Sequence, residues 1–489
     1  MGTGRVRWAD PRGPSPKMKP SPSYTTCPSS LHQISAEGEP AAHRARASRV
    51  ARVASAARPP TRMARQFDIP AFYRSPVIGR VKAARRAADP RKKDLAPSVL
   101  DFGPLRVRLA RHFGFCFGVE NAVEIAYRAI EERPEAAAAG RLFLLSEMIH
   151  NPHVNEDLQA RGVRFLRTTA GEELVPLRTL RPDDVVIIPA FGAPTEVMEA
   201  LAARGIDPEL YDTTCPFVVR VWKKSAQIGA KAHTIVVHGK PTHEETRATV
   251  SRARASAPTV TVKNLDEAER LAAVVERRQG AAFFWEHFAG RTSEGFDPER
   301  DLERLGVVNQ TTMLATETAA IAERLRAAVE ARDGDDANAA DTSDTLCYAT
   351  KENQDATLAL IESARAPLAE GRALAVVVGG RNSSNTSHLV ELCEDAGLPT
   401  YFVTGAEALG AETVEHFDWR AGAVRHTRDW LPDPAALDGP IDLTLTAGAS
   451  CPDAQLDAAL HRILELVPGT RPLDAVLAEA VAPFEAEAA

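Results

Sequence analysis

The chain has 489 residues, of which 44% are hydrophobic and 26% are charged, and its formal net charge is −7 at pH 7. This length exceeds what one hydrophobic core supports and predicts two or three domains, while the negative charge argues against a nucleic-acid partner. The chain has six cysteines and no apolar secretory segment, which predicts a soluble protein of the cytoplasm, a reducing compartment. No apolar run reaches the ~18 residues of a membrane span.

Residues 1–62 form a leader of unusual composition. The leader carries eleven Lys or Arg against three Asp or Glu, with many Ser, Ala and Pro and no sustained period. It cannot bury enough apolar surface to offset its ordering entropy, so it is predicted to be disordered, or else the start is misassigned and Met63 is the first residue. An organelle transit peptide has a similar composition, which leaves a plastid stroma location open. Cys27, which lies in the leader, is expected to be solvent-exposed and to have no functional role.

From Leu105 onward the chain alternates apolar strands, polar loops and helical segments. Short β-branched runs such as DVVIIPAFG, TIVVHGK and LAVVVGG end in glycine or polar clusters, and a segment with helical spacing follows each. This alternation predicts an α/β fold with mostly parallel sheets. Its larger period predicts three related α/β domains that face a common centre, namely residues 104–214, 215–345 and 346–468. Residues 469–489 form a C-terminal tail to which no role is assigned.

Three cysteines lie where an apolar run turns into a helix, namely Cys116, Cys215 and Cys347. A helix N-terminus favours the thiolate, which is the form that binds metals, so lowered thiol pKa values are expected there. Ligands so far apart in the chain would hold a metal only by converging in space. Zinc with three cysteines and a histidine stays open, although no C-x2-C pair is present, and an iron–sulfur cluster suits distant thiolates better. Cys393 and Cys451 are expected to be structural.

The loop GGRNSSNTSH, residues 379–388, joins a strand to a helix. Amides at a helix N-terminus bind phosphate, and the four polar residues in a row exceed what a helix cap needs, so the loop favours phosphate binding. The segment HGKPTHEET combines histidine and glutamate, which bind anions and donate protons, but a solvated helix start would look the same. No G-x-G-x-x-G or Walker loop is present, so a nicotinamide or ATP site is not indicated.

Eight segments in a fixed order give the chain a family resemblance. They are GFCFGVENA, EMIHNPHVNEDL, DTTCPFVVRVW, HGKPTHEET, NQTTML, LCYATKENQDA, GGRNSSNTSHL and TAGAS. From about Leu105 to Leu466 the chain thus resembles the 4-hydroxy-3-methylbut-2-enyl diphosphate reductases. PAFGAP, HGKPTHEET and SEGFDP are similar to the plant and cyanobacterial branch. The stretch FDIPAFYRSP resembles that branch's N-terminal extension, which is assigned to residues 63–103.

The resemblance implies an iron–sulfur oxidoreductase. The implied reaction is the reductive dehydroxylation of 4-hydroxy-3-methylbut-2-enyl diphosphate to isopentenyl and dimethylallyl diphosphate, the last step of the methylerythritol phosphate route to isoprenoids. One [4Fe–4S] cluster per chain would be held by Cys116, Cys215 and Cys347, around which the three domains are arranged, with one iron left open as a Lewis acid. Ferredoxin or flavodoxin would supply the electrons.

Residue roles follow from the same resemblance. Glu245 matches the acid that protonates the departing hydroxyl, and Thr311 matches a threonine beside the alcohol end of the substrate. Six residues match positions that hold the diphosphate: His150, His243, Ser383, Ser384, Asn385 and Ser450. One departure is Phe191 in PAFG, where much of the family has a histidine in a motif like SAHG, so the number of donors that meet the diphosphate is open.

Two other functions stay open at this point. The first is a hydro-lyase that uses the same open-iron cluster as a Lewis acid on a phosphorylated substrate without net reduction. The second is a non-catalytic metal- or phosphate-binding module, with zinc as one candidate metal. A requirement for an electron donor separates the reductase from the hydro-lyase, and iron and sulfide analysis separates both from the module.

Overall fold

Residues 67–340 and 345–488 are described by the computed structural model of the chain. The predicted leader, with Cys27, lies outside the described residues. Within them the strands are β1 Ser98–Asp101, β2 Leu105–Leu109, β3 Leu142–Leu144, β4 Val163–Phe165, β5 Val185–Ile187, β6 Thr234–His238, β7 Thr259–Val262, β8 Leu305–Asn309, β9 Ala373–Val378, β10 Thr400–Val403, β11 Thr413–Asp418, β12 Ala423–Arg428 and β13 Ile441–Ala447.

The helices of the described residues follow the same order. They are α1 Pro76–Ala88, α2 Phe117–Glu132, α3 Pro134–Ala138, α4 Pro152–Ala160, α5 Thr195–Ala202, α6 Pro216–Gly229, α7 Glu244–Arg254, α8 Leu265–Val275, α9 Ala281–Phe288, α10 Pro298–Asp301, α11 Ala315–Asp333, α12 Tyr348–Ser363, α13 Arg365–Ala369, α14 Ser384–Asp395, α15 Asp453–Leu466 and α16 Leu473–Ala488. No helix in this part of the chain is long and apolar enough to cross a membrane.

Three larger sheets organise the described chain, with the orders β4-β3-β5, β7-β6-β8 and β1-β2-β13-β9-β10. Every pairing in the first two is parallel, and in the third only β1 runs antiparallel to its neighbour. A separate antiparallel pair is formed by β11 and β12. The predicted α/β fold with mostly parallel sheets is confirmed.

Burial of the central strands explains why their sequences are mostly apolar. Every residue of β6, β9 and β13 is buried, which is expected for parallel strands covered by helices on both faces. Asp442 is the acidic residue of these strands, and it is paired: Arg108 on β2 donates to it from Nε at 2.5 Å and from Nη2 at 2.9 Å. A buried carboxylate needs such a partner, so this ion pair fixes β2 beside β13.

Strand β2 therefore does not join the sheet of the domain to which the sequence assigned it. The predicted first domain began at residue 104, but β2 pairs with β13 and lies in the sheet of the predicted third domain, 346–468. Strands β3 to β5 form one sheet and strands β6 to β8 another, while β11 and β12 pair apart from the sheet of β9, β10 and β13. The boundaries themselves stay predictions, and residues 65–489 form one compact unit.

The segment 63–103 adds a helix and a strand to the third sheet. Strand β1 pairs with β2, and α1 packs its buried residues Ile78 and Val81 into the same hydrophobic cluster as Val476 and Val481 of α16. The C-terminal tail, which had no predicted role, thus covers α1. Both ends of the described chain are tied to the sheet that contains β9 and β13.

Candidate functional site

Three helices of the described chain begin directly after a cysteine. Cys116, Cys215 and Cys347 are the N-cap residues of α2, α6 and α12. A Cβ added to Gly118 would lie 2.5 Å from Sγ of Cys215 and 4.0 Å from Sγ of Cys116, so the first turn of α2 lies between these two thiols. Cys347 is close enough for its charge to act on both other thiols. The predicted convergence of the three cysteines is present in the geometry.

The thiol pKa values differ from the sequence-based expectation. Burial raises the pKa of Cys116 to about 12, with further increases from the charges of Cys347 and Cys215. Burial likewise raises the pKa of Cys215 to about 12 and raises that of Cys347. Helix amides do lower each pKa, as predicted, but burial outweighs them. The predicted effect of the helix N-termini is therefore present, and burial opposes it.

The three thiols form a donor set for a cationic group. Neighbouring thiols gain from such a group, which draws off their protons and removes the mutual repulsion of the thiolates. The described residues contain no set of three or more His, Cys, Asp or Glu side chains placed to hold a single metal ion.

Glu245 lies in the first turn of α7, and only 1% of it is exposed. Its Oε1 accepts a hydrogen bond of 2.6 Å from the Thr311 amide, and its Oε2 accepts one of 2.9 Å from the Thr311 hydroxyl. Burial raises the pKa of Glu245 to about 7. Its charge would raise the pKa of Cys215 and Cys347, which places the carboxyl beside the thiols. A carboxyl that holds its proton near neutral pH is suited to act as an acid.

His150 and His243 form a pair beside Glu245. Their Nε2 atoms are 3.2 Å apart, and Nδ1 of His243 accepts a hydrogen bond of 3.2 Å from the Glu245 amide as the cap of α7. Burial and the charge of His150 hold the pKa of His243 well below its usual range. Both imidazoles are buried.

Phe191 is part of this pair rather than remote from it. Its ring stacks on His150 with centroids 4.2 Å apart and planes at 23°, and it meets His243 edge-on at 5.5 Å. The phenyl ring offers packing but no hydrogen-bond donor. The departure noted in the sequence therefore lies in direct contact with two of the predicted diphosphate residues.

The phosphate loop meets the NQTT segment at the start of α14. Ser383 caps α14 by accepting a hydrogen bond of 3.2 Å from the Thr386 amide. Ser384 accepts one of 3.3 Å from Nε2 of Gln310, a fully buried side chain whose Oε1 also accepts from the Lys240 amide at 3.1 Å. Gln310 thus ties together the loops that carry Ser384, Lys240 and Thr311.

Asn385 and Ser450 complete the set of predicted residues. Oδ1 of Asn385 accepts a hydrogen bond of 2.9 Å from the Ala449 amide, and its Nδ2 is buried with no hydrogen-bond partner among the described residues. Ser450 donates to the carbonyl of His150 at 3.1 Å. Since the Cys116 amide donates to the Ala449 carbonyl at 3.3 Å, the loop after β13 connects the polar loops to the cysteines.

Sequence reasoning singled out the six residues and the cysteines but missed two residues. Glu147 contacts His150 at 3.3 Å, and Asn382 donates to Glu147 at 3.2 Å. Glu244, which belongs to the HGKPTHEET segment noted in the sequence, approaches His150 at 4.0 Å. Glu147 has a weak sequence signal, since it stands three residues before a histidine in SEMIHN. Cys393 and Cys451, expected to be structural, are completely buried.

Comparisons with known proteins agree on one family. The family described as LytB protein matches residues 107–464. The chain is 39% identical over 407 residues to a 4-hydroxy-3-methylbut-2-enyl diphosphate reductase of Gloeobacter violaceus, covering 82% of this chain and 89% of that protein. It is 38% identical over 367 residues to a chloroplastic one of Botryococcus braunii, covering 74% and 70%.

A solved structure supports the fold. The E-1-hydroxy-2-methyl-but-2-enyl-4-diphosphate reductase from Plasmodium falciparum superposes with a TM-score of 0.52 at 19% sequence identity. The match covers 73% of this chain and 87% of that one. At this identity the likeness concerns the fold alone.

Proposed function

The chain belongs to the LytB protein family, and from this premise we propose that it reduces 4-hydroxy-3-methylbut-2-enyl diphosphate to isopentenyl and dimethylallyl diphosphate. The resemblance predicted from eight sequence segments is confirmed, including its cyanobacterial and algal side. The observation that carries the proposal is the placement of a buried, protonatable Glu245 beside three helix-capping cysteines and the imidazole pair. The chain is proposed to work in the cytoplasm, which is a reducing compartment.

Cys116, Cys215 and Cys347 are proposed to hold one [4Fe–4S] cluster. Support comes from the absence of a Cβ at Gly118 between two of the thiols and from the mutual repulsion that a cationic group would relieve. When bound, the cluster supplies electrons and a Lewis acid toward the substrate oxygen. With three cysteine ligands for four irons, one iron is left for the substrate.

Glu245 is proposed to supply the proton that leaves with the hydroxyl. Because burial raises its pKa to about 7, a large fraction of Glu245 carries this proton at neutral pH. The Thr311 amide and hydroxyl fix the direction of the carboxyl. The net reaction consumes two electrons and two protons, breaks the C–O bond, forms a C–H bond and releases water. The electrons are proposed to come singly from ferredoxin or flavodoxin.

The diphosphate is proposed to bind where the polar loops meet. The N-terminus of α14 points amides and a partial positive charge at an anion, and the unpartnered Nδ2 of Asn385 adds a buried donor. The remaining contacts are proposed to come from His150, His243, Ser383, Ser384 and Ser450. Support comes from the hydrogen bonds that join His150 to His243 and to Ser450, and Ser384 to Gln310. Holding the diphosphate here leaves the hydroxyl end of the substrate to reach Glu245.

An anaerobic assay tests this function. The full chain, purified without oxygen, should contain about four irons and matching sulfide and should oxidise reduced methyl viologen only when the diphosphate substrate is present. Both five-carbon diphosphates should appear. Replacement of Cys116, Cys215 or Cys347 by Ser should abolish turnover. Conversion of the substrate without any reductant would instead establish the hydro-lyase, and full activity of a Cys→Ser variant would contradict the ligand assignment.

A further inference from the structure

His150 lies between two carboxyl groups that the mechanism above does not use. Its Nδ1 is 3.3 Å from Oε2 of Glu147, and its Nε2 is 4.0 Å from Oε2 of Glu244. His150 and Glu244 are buried, while the Glu147 side chain is 26% exposed. The imidazole thus has a solvent-connected carboxylate on one side and a buried carboxyl on the other.

The hydrogen bonds around the imidazole pair indicate which nitrogen of each ring carries the proton. Nδ1 of His243 accepts from the Glu245 amide, so the proton of the neutral His243 ring is on Nε2 and is donated to Nε2 of His150. His150 then carries its own proton on Nδ1 and donates it to Glu147. In this state Nε2 of His150 is an acceptor and has nothing to donate to a phosphate oxygen.

Binding of a diphosphate requires a change at His150. For both Nε2 atoms to face phosphate oxygens as donors while Nδ1 of His150 keeps its hydrogen bond to Glu147, His150 must carry a proton on each ring nitrogen. The carboxylate at Nδ1 is the group that compensates the charge of this cation. Phe191, which stacks on the ring, supplies neither charge nor donor.

Glu147 is held in place by the phosphate loop. Asn382 donates from Nδ2 to both of its carboxylate oxygens, at 3.2 and 3.3 Å. Gly380 approaches the carbonyl of His150 so closely that a Cβ there would lie 2.2 Å from the oxygen. The carboxylate of Glu147 therefore bridges the histidine loop and the phosphate loop on the side of His150 opposite His243.

We propose that Glu147 is a positioning residue that acts through His150, orienting the ring by its Nδ1–H and stabilising the imidazolium that donates from Nε2 to the substrate diphosphate. The inference rests on the proposed function, because it presupposes that the diphosphate binds at the imidazole pair. The other charged or titratable groups that face the pair are Glu244, Lys240 and Arg247. None of these contacts Nδ1 of His150, which Glu147 holds.

The test compares Glu147→Gln and Glu147→Asp with the wild-type holoenzyme. Anaerobic titration calorimetry with inorganic pyrophosphate measures affinity without turnover, and steady-state assays give KM and kcat. The Gln variant keeps the shape but not the charge, so its pyrophosphate Kd and substrate KM should rise about tenfold with a smaller change in kcat. The Asp variant keeps the charge and should restore part of the affinity.

A matched control is available in Glu391→Gln. Glu391 contacts Nδ1 of His388 at 2.8 Å with the same three-residue spacing, but neither residue contacts the imidazole pair. Its removal should leave the pyrophosphate Kd unchanged. An unchanged Kd in Glu147→Gln would overturn the role of Glu147 while leaving the reductase proposal intact. A wild-type holoenzyme that binds pyrophosphate but does not reduce the substrate would overturn only the reductase proposal.

Discussion

Two adjacent glutamates at the start of α7 show how one turn of helix gives similar groups different surroundings. Burial raises the pKa of both Glu244 and Glu245 to about 7. Glu245 is held by Thr311 toward the cysteines, whereas Glu244 approaches His150 and borders a cavity of about 280 Å³ with Arg167 and Arg247. The two carboxyl groups therefore differ in the residues that they contact and not in the direction of their pKa shift.

At the residue scale, Glu245→Gln should remove the acid while keeping the site. An amide cannot deliver a proton, so kcat should fall by about a hundredfold or more, with an unchanged visible spectrum of the cluster. In the wild type kcat should decline as the pH rises above about 7, because Glu245 then loses its proton. Single-turnover rates between pH 6 and 9 measure both effects.

The neighbouring glutamate provides the control for that experiment. Glu244→Gln removes a carboxyl with the same pKa shift but leaves Glu245 and Thr311 in place. Its rate should keep the alkaline decline that Glu245→Gln loses. If instead the decline disappears in Glu244→Gln and persists in Glu245→Gln, the acid is Glu244.

The residues that sequence reasoning identified are those whose chemistry shows in a local pattern. Cys215 at a strand–helix joint and Glu245 in HEET are examples, and in the structure the charge of Glu245 acts on that thiol. Glu147 was missed because its contact with Asn382 joins residues 235 positions apart. The burial that raises the pKa of Cys116 was missed for the same reason, since it depends on parts of the fold distant in sequence.

At the scale of the element, the N-terminal turn of α2 is shaped by the lack of a side chain. Gly118 lies in this turn, next to two of the three thiols. Glycine lowers helix stability by about 1 kcal/mol relative to alanine, so this position sacrifices helix propensity. The compensating gain is space for Sγ of Cys215, which a side chain at residue 118 would displace.

Gly118→Ala should separate folding from cluster binding. The added methyl group would lie 2.5 Å from Sγ of Cys215 and must displace that thiol, while the helix itself should gain up to about 1 kcal/mol. We expect a normal far-ultraviolet spectrum and Tm but less than about half of the wild-type iron content, because one of the three ligands is misplaced.

Gly79→Ala is the corresponding control in α1. No atom lies within 4 Å of a Cβ at Gly79, so the substitution should leave iron content and activity unchanged while raising stability slightly. Full iron content in Gly118→Ala would show that Cys215 can move without loss of the cluster, and the idea that Gly118 makes room for the ligand would be wrong.

Elements were predicted better than their partners. The run that forms β9 is apolar throughout, and the run that forms β6 is apolar at its centre, because both strands are buried, and this is visible in the sequence. The sheet to which β2 belongs was not visible in the sequence. Its position depends on the pairing of Arg108 with Asp442, which are 334 residues apart. The order of strands in a sheet is decided by such distant contacts, which no local period records.

At the scale of the whole molecule, the segment before β2 connects the surface to the cysteine site. Lys82 on α1 donates to the carbonyl of Phe113 at 2.8 Å and to Asp453 at the start of α15 at 2.6 Å. The Phe113 carbonyl precedes Gly114, which has a φ of +77°, and the chain then reaches Cys116. The extension thus holds the loop that leads to the first cysteine.

Removal of this segment should therefore affect both stability and iron binding. A chain that starts at residue 65 retains the whole compact unit and should match the full chain in Tm and iron content. A chain that starts at Leu105 loses Ile78, Val81, Leu100 and Phe102 from the core. At about 1.5–3 kcal/mol for each buried side chain, this loss is comparable to the whole stability of a typical domain.

Lys82→Met distinguishes the two contributions of the extension. Methionine keeps the apolar packing of α1 but cannot donate to Phe113 or Asp453, so Tm should fall by only a few degrees, for a loss of about 1 kcal/mol, while the loop before Cys116 loosens and anaerobic iron loading slows. The chain from Leu105 should instead be insoluble or melt far below the full chain. Equal Tm and iron content in that shortened chain would mean that the sheet from β2 onward carries the cysteine site without help from α1 and β1.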